Sequence, residues 1–310
     1  MPIPEVDKIW MNGKLVDWHD AQIHVLTHAL HYGSGVFEGI RAYKTDRGPA
    51  VLRLSDHLAR LRRSAKLYYM DVPYSDEELA QATKELIHAN GLEHCYIRPI
   101  VYRGYGEMGL FPLDARIDCA IAAWPWGSYL GDEGIKHGVR VKISSIKSLD
   151  GNALTPAAKS CGQYLNSQLA KIEVVKAGYE EAVMLNNAGF VTQGTGENIF
   201  MVRKGRVFTP PVSSGLLEGI TRDTVMTIAA SLGHLVEERD FTRSDMVVAD
   251  EAFFTGTAAE IVPIRELDDH LIGEPGPITR EVQRVFHEIT SGKSSEFGDY
   301  LEYVDEAVTV

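Results

Sequence analysis

The pattern of apolar and polar positions changes period along the chain. IWM and KLV flank Asn12-Gly13, which predicts a β-hairpin over residues 6–18. Leu58, Leu61, Ala65 and Tyr68 then recur at helical spacing, with Ser55 placed to cap the helix. A second helix carries Leu79, Ala82 and Leu86. Ser75-Asp76-Glu77-Glu78 opens it as a capping box and Gly91 closes it. YIRPIVY (96–102) and IDCAIAAW (117–124) read as strands. PWGSYLGDEG (125–134), rich in Pro, Gly and Asp, interrupts the pattern and marks a domain boundary. Beyond it lie a strand (138–144) and a helix with Leu165, Leu169, Ile172 and Val175 on one face, ended by Gly178. Hairpins follow, turning at Asn186-Asn187 and Lys204-Gly205. GLLEGITRD (215–223) opens a helix with Val225, Ile228, Ala229 and Leu232 as its face. FFTGTAAEIVPI (253–264) reads strand–turn–strand, and a further hairpin ends at Leu271-Ile272-Gly273. The last helix carries Ile278, Val282, Val285 and Ile289. Residues 291–310 carry no recognisable motif and read as a mobile tail.

These elements predict an α+β fold in two domains, with antiparallel sheets inferred from the hairpins. The expected division is residues 1–124, a linker over 125–136, and residues 137–310. The 310 residues are 45% hydrophobic and 24% charged, ordinary for a soluble globular protein. A net charge of −12 argues against non-specific binding to nucleic acid or anionic membrane. No apolar run approaches the roughly 20 residues of a membrane helix, and MPIPEVDKIW lacks the apolar core of a signal peptide. Cys95, Cys119 and Cys161 are far apart, without a C-x-x-C. This argues against a disulfide scaffold or zinc ribbon, and for a reducing, cytoplasmic setting.

The candidate chemistry centres on Lys159 in AAKSCGQY (157–164). It follows Thr155-Pro156, precedes the helical run from Leu165, and has small neighbours that admit a ligand. This places it at a loop-to-helix entry, where a desolvated amine becomes a nucleophile toward carbonyls. Lys142 and Lys147 lack such surroundings. GTGENIFMV (194–202) offers Glu197 between close-approach glycines and a strand. Gly219, Ile220 and Thr221 present backbone N–H groups at a helix start, and Gly256, Thr257 and Ala258 do so at a turn; both suit an anion. Tyr96 and Arg98, two apart on a strand, point to one face and form a hydroxyl–guanidinium receptor for a carboxylate.

Lys159, Glu197, GITRD (219–223) and FTGTAAEI (254–261), with HYGSGVFEGIR (31–41) and CYIRP (95–99), occur in one order from about residue 5 to about residue 290. The set resembles the fold-type IV family of pyridoxal-phosphate enzymes, and within it the branched-chain amino acid aminotransferases. The resemblance implies a smaller α/β sandwich and a larger pseudo-barrel domain. It implies Lys159 as catalytic lysine. Pyridoxal 5′-phosphate would be held by Arg60, Lys159, Tyr164, Glu197, Leu217, Gly219, Ile220, Thr221, Gly256 and Thr257, with Arg60 on the phosphate and Glu197 on the ring nitrogen. Tyr32, Phe37, Tyr96, Arg98, Trp126, Tyr129 and Ala258 would meet the substrate, with Tyr32 acting across a homodimer or larger homo-oligomer. The implied reaction moves an amino group between L-leucine, L-isoleucine or L-valine and 2-oxoglutarate, with L-glutamate and the 2-oxo acids as its other partners. The Tyr96-x-Arg98 pair separates this reading from D-amino-acid transaminases and aminodeoxychorismate lyases of the same fold. Aminotransferases with aromatic or amine substrates, and a non-enzymatic binding protein, remain as alternatives at this point.

Overall fold

The computed structural model describes residues 3–127 and 131–305. The chain forms two compact units. The first comprises residues 1–126, 158–162 and 288–310; the second comprises 127–157 and 163–287. Two segments of the expected C-terminal domain, 158–162 and 288–310, lie instead with the first unit, because each pairs with its strands.

In the first unit, β1 (Lys8–Met11) and β2 (Lys14–Asp17) make the hairpin at Asn12-Gly13. Both turn residues take positive φ, 49° and 90°. The short helix α1 (His28–Tyr32) leads to β3 (Gly35–Phe37), β4 (Ile40–Thr45) and β5 (Gly48–Leu52). Helices α2 (Leu54–Leu67) and α3 (Asp76–Ala89) precede the long strands β6 (Cys95–Arg103) and β7 (Ile117–Pro125). One face of each helix buries leucines that join the strand residues Val36, Ile97 and Ile121 in a single core. The Ser75 capping box is present in full: Glu78 N–H donates to Ser75 Oγ at 3.2 Å, and Ser75 N–H donates to Glu78 at 2.7 Å. Ser55, by contrast, does not cap α2. The residue before the helix is Arg53, in the left-handed region (φ 51°), and Ser55 N–H donates to Glu302 at 2.7 Å. A carboxylate from the far end of the chain takes the cap's place.

The second unit runs α4 (Gly131–His137), β8 (Val139–Ile143), α5 (Tyr164–Lys176), β9 (Glu181–Leu185), β10 (Val191–Gln193), β11 (Asn198–Arg203) and β12 (Arg206–Thr209). It continues with α6 (Ile220–Ser231), β13 (Val236–Glu238), α7 (Arg243–Val247), β14 (Glu251–Gly256), β15 (Glu260–Leu267), β16 (His270–Leu271) and α8 (Pro277–Thr290). The strand order is β10-β9-β8-β15-β14-β11-β12-β13, with β16 beside β15, in a sheet curled as a half-barrel. Hairpins join β9–β10, β11–β12, β14–β15 and β15–β16, and β11 also pairs antiparallel with the distant β14. Three pairings are parallel, β8–β9, β8–β15 and β12–β13, so the expected antiparallel sheet is mixed, with each parallel pair joined through a helix or longer connection. The stripe Leu165, Leu169, Ile172 and Val175 on α5 is also not buried: each is at least half exposed, while Ala170 and Val174 face the core. After α8 the chain returns to the first unit as β17 (Leu301–Tyr303), which pairs antiparallel with β5. The residues read as a mobile tail are therefore structured as far as Asp305. The first sheet then reads β17-β5-β4-β6-β7-β1-β2, with β3 beside β6.

Candidate active site

Lys159 belongs to the first unit. Its segment is extended and bridges β3 through Val36 and Ser160. Phe37 N–H donates to Lys159 O at 3.0 Å, Lys159 N–H donates to Ser64 Oγ at 3.1 Å, and Cys161 N–H donates to Gly35 O at 2.8 Å. The lysine therefore lies in the loop ahead of α5, which starts at Tyr164, and the isolated bridge at Ser160 ties that loop to β3. Close approach depends on glycine: Gly33 has φ 64°, and a Cβ there would stand 2.9 Å from Gly162 Cα.

Phe37 organises the side chains. Lys159 Nζ lies 5.1 Å, and the Arg98 guanidinium carbon 4.6 Å, from its ring centroid. Arg98 donates to Tyr96 Oη at 3.2 Å, so the strand reading of a paired hydroxyl and guanidinium holds geometrically. Trp126 stacks on Tyr96 with centroids 4.8 Å apart. The buried Nε of Arg98 and Nε1 of Trp126 have no hydrogen-bond acceptor among the described residues. Two orphaned donors beside a tyrosine hydroxyl fit a ligand that brings carboxylate oxygens. Tyr32, which ends α1, is exposed and packs on His28 at 4.6 Å. Tyr129 lies outside the described residues.

Arg60 is on the buried side of α2, where His57, Arg60 and Ser64 form a polar stripe. Its Nε and Nη2 donate to Glu38 at 2.7 and 2.8 Å, and His57 Nδ1 donates to Glu38 at 2.7 Å. Burial would raise the Glu38 carboxyl, but Arg60 and His57 overcome it and hold the group well below the usual carboxylate range. Burial holds His57 below its ordinary value of 6.5 despite Glu38. Glu38 and His57 carried no signal in local spacing; they become significant only through Arg60.

The second unit supplies a small cavity of about 60 Å³, lined by Tyr164, Gln193, Thr195, Glu197, Asn198 and Leu217 among others. Glu197 is buried, and its Oε2 accepts Gly196 N–H at 3.1 Å. A Cβ at Gly196 would meet nothing within 4 Å, which leaves the turn open beside the carboxylate. Asn198 donates to Leu217 O at 2.9 Å and Gln193 accepts Leu217 N–H at 3.1 Å, so both hold the loop ahead of α6. Gly219 is the N-cap of α6 without a side-chain cap. A Cβ there would fall 1.9 Å from Asn198 Oδ1. Asn198 was not foreseen, although it follows Glu197 within the motif. Ile220 and Thr221 form the first turn of α6 and are buried. Gly256 ends β14 with its Cα side against Glu197: a Cβ would lie 3.4 Å from Glu197 Cγ. Thr257 and Ala258 fill the turn to β15. The second unit therefore groups a buried carboxylate, an uncapped helix N-terminus and a glycine–threonine turn. The carboxylate suits a pyridine nitrogen, and the helix start and turn suit a phosphate. Among the described residues no cluster of His, Cys, Asp and Glu could hold a metal ion, and no helix is long and apolar enough to cross a membrane.

The model of the amino-transferase class IV family matches residues 35–267. A branched-chain-amino-acid aminotransferase of Pseudomonas aeruginosa is 46% identical over 298 residues, 96% of this chain and 97% of that protein. The crystal structure of the Escherichia coli branched-chain amino acid aminotransferase is similar with a TM-score of 0.95 at 41% identity, over 97% of this chain and 100% of that one. That of the Thermoproteus uzoniensis branched-chain aminotransferase with norvaline gives 0.93 at 44% identity, over 96% and 99%. A further branched-chain amino acid aminotransferase, complexed with N-(5′-phosphopyridoxyl)-L-glutamate, gives 0.93 at 42% identity, over 97% and 99%. On this likeness, which runs nearly end to end in sequence and in fold, the chain belongs to the class IV aminotransferase family.

Proposed function

We propose that the protein transfers amino groups between L-leucine, L-isoleucine or L-valine and 2-oxoglutarate, with pyridoxal 5′-phosphate as cofactor. The observation that carries this reading is the grouping about Phe37: an amine, Lys159, and a carboxylate receptor, Arg98 with Tyr96, meet one aromatic ring. When bound, the cofactor supplies an aldehyde that exchanges amines and a ring that takes up the electron pair left at the substrate Cα. Lys159 would hold that aldehyde in the absence of substrate, and its Nζ, freed by the substrate amine, would move the proton from the substrate Cα to the cofactor's former aldehyde carbon across the shared nitrogen. Glu197 would keep a proton on the ring nitrogen. Leu217, Gly219, Ile220 and Thr221 at the start of α6, with the Gly256–Thr257 turn, would hold the phosphate, a role the family resemblance also gives Arg60. Tyr164 would contact the cofactor. The Ala258 turn meets the α-carboxylate, Phe37, Trp126 and Tyr129 take an apolar side chain, and Arg98 with Tyr96 and Tyr32 takes the second carboxylate of glutamate. The likeness to the phosphopyridoxyl-glutamate complex supports both the cofactor and an acidic substrate.

We also read the protein as a cytoplasmic homo-oligomer. The exposed α5 stripe of Leu165, Leu169, Ile172 and Val175 supports this, since such a stripe on a monomer faces water. Light scattering at micromolar concentration tests it, and a monomer would refute it.

The test of function is a half-reaction. The visible band of the lysine-bound cofactor is followed after addition of L-leucine, L-glutamate or D-alanine. Loss of the band with both L-amino acids, and no such band in Lys159→Ala, is expected. Conversion by D-alanine alone would move the protein to the D-specific branch. No visible band with added cofactor would remove the catalytic reading.

A further inference from the structure

The turn Gly194-Thr195-Gly196-Glu197 carries the chain from β10 to β11 and is closed by Gly194 N–H donating to Glu197 O at 2.7 Å. Two of its four residues are glycines, so its backbone has little intrinsic stiffness. Thr195 is the side chain that ties the tip elsewhere. Buried, it donates through Oγ1 to Glu181 Oε1 at 2.7 Å. Glu181, the first residue of β9, has no exposed surface. Its carboxylate also accepts Ala182 N–H at 2.7 Å and Lys171 Nζ at 2.5 Å. Lys171 in turn donates to Glu180 O at 2.6 Å and sits on α5, whose first residue, Tyr164, lines the same cavity as Thr195 and Glu197.

An enclosed carboxylate is a poor choice for stability alone, since well-packed apolar side chains of similar volume serve as well or better. What it supplies is direction. Glu181 fixes the Thr195 hydroxyl, Thr195 fixes the tip of the turn, and the turn aims Glu197, whose Oε2 is steadied by the Gly196 N–H. We propose that Lys171, Glu181 and Thr195 form a positioning chain that holds the Glu197 carboxylate in place for the ring nitrogen of the cofactor. This rests on the assignment of Glu197 above, but the first part of its test does not.

The first measurement is amide hydrogen exchange on the full-length protein without cofactor. It compares wild type with Thr195→Val, which keeps the shape and loses the hydroxyl, Thr195→Ser, which restores it, and Glu181→Gln. The Gly196 amide reports the hold on Glu197, and the Phe253 amide, central in β14, reports global opening. Thr195→Val should speed exchange at Gly196 by about five- to tenfold, the equivalent of one lost hydrogen bond, with Phe253 unchanged. Thr195→Ser should return it to the wild-type rate, and Glu181→Gln should fall between. Equal acceleration at both amides would mean a structural role only, and an unchanged Gly196 rate in Thr195→Val would overturn the chain. The second measurement is the L-leucine half-reaction, where Thr195→Val should lower the maximal rate several-fold with little change in the concentration for half-saturation. If wild type shows the exchange pattern but no half-reaction, the functional reading fails and the positioning chain stands. If wild type reacts and the variants exchange and react like it, the chain alone fails.

Discussion

Replacing Glu38 with glutamine removes one charge from a cluster without access to water. In the native first unit, Glu38 is fully enclosed and Arg60 and His57 are nearly so. Glu38 accepts two bonds from Arg60, one from His57, and Gly39 N–H at 3.2 Å. Glutamine keeps the volume but faces one of its donors with an NH₂ group and leaves the guanidinium without a counter-charge. Breaking such a pair from one side costs about 3–5 kcal/mol. For a 310-residue chain each kcal/mol moves the midpoint by roughly 1.5 °C, so the expected loss is roughly 5–8 °C. Thermal denaturation followed by circular dichroism at neutral pH reads it directly. The pH dependence adds a second check. Because the folded Glu38 carboxyl is held below its ordinary 4.5, its stabilisation is complete above that value. It is lost as pH falls further and the unfolded chain takes up a proton that the folded one refuses. The gap between wild type and Glu38→Gln should therefore narrow below about pH 4.5. His57, held below 6.5 by burial, contributes stability that both proteins begin to lose as pH falls through 6.5, so the diagnostic window for Glu38 is the more acidic one. A midpoint loss under roughly 2 °C at neutral pH, or a gap constant from about pH 5 to 3, would refute the reasoning.

Gly39→Ala should disturb the substrate receptor, because its Cβ would stand 2.0 Å from Tyr96 Oη. Overpacking of this kind costs about 1–3 kcal/mol, and the L-leucine half-reaction should slow by more than the melting shift explains. Ser75→Ala removes the capping box of α3 and should cost about 1 kcal/mol with catalysis intact, checked by urea denaturation beside the half-reaction rate. In Gly276→Ala the new Cβ would lie 2.2 Å from Glu251 Cδ, whose carboxylate accepts Ile278 N–H, Thr279 N–H and Thr279 Oγ1–H at the start of α8. That variant should lose about 2 kcal/mol or more in denaturant unfolding, and a neutral result would show that the loop yields freely.

Where structure is local, the sequence was a good guide. The hairpins at Asn12-Gly13 and Lys204-Gly205 and the Ser75 cap each depend on residues within a few positions of one another. Periodicity failed in two instructive ways. The α5 stripe has the right spacing for a buried face, but spacing says which side chains align, not whether anything covers them. Arg60 lies off the apolar stripe of α2 and yet is buried, because Glu38, 22 positions away, supplies its counter-charge. The parallel pairings, the Glu302 cap and the Asn198 clamp on Leu217 likewise join residues distant in sequence. Lys159, Glu197 and the two turns proposed to bind an anion stand out in the sequence only as a set, from their order along the chain. The groups that aim them were not, since Ser64, Glu181 and Thr195 act through contacts that no motif records.

The pairing of β17 with β5 also orders events on the ribosome. Leu52 and Leu301 are neighbours in the sheet, but about 250 residues separate them, so at 5–20 residues per second β5 waits roughly 10–50 s for its partner. Throughout that interval β5 is an open edge of the kind that recruits foreign strands. Premature termination anywhere before Leu301 would thus release a first unit lacking its final strand and the Glu302 cap on α2. Until Leu301–Tyr303 is made, that edge stays unpaired in the nascent chain.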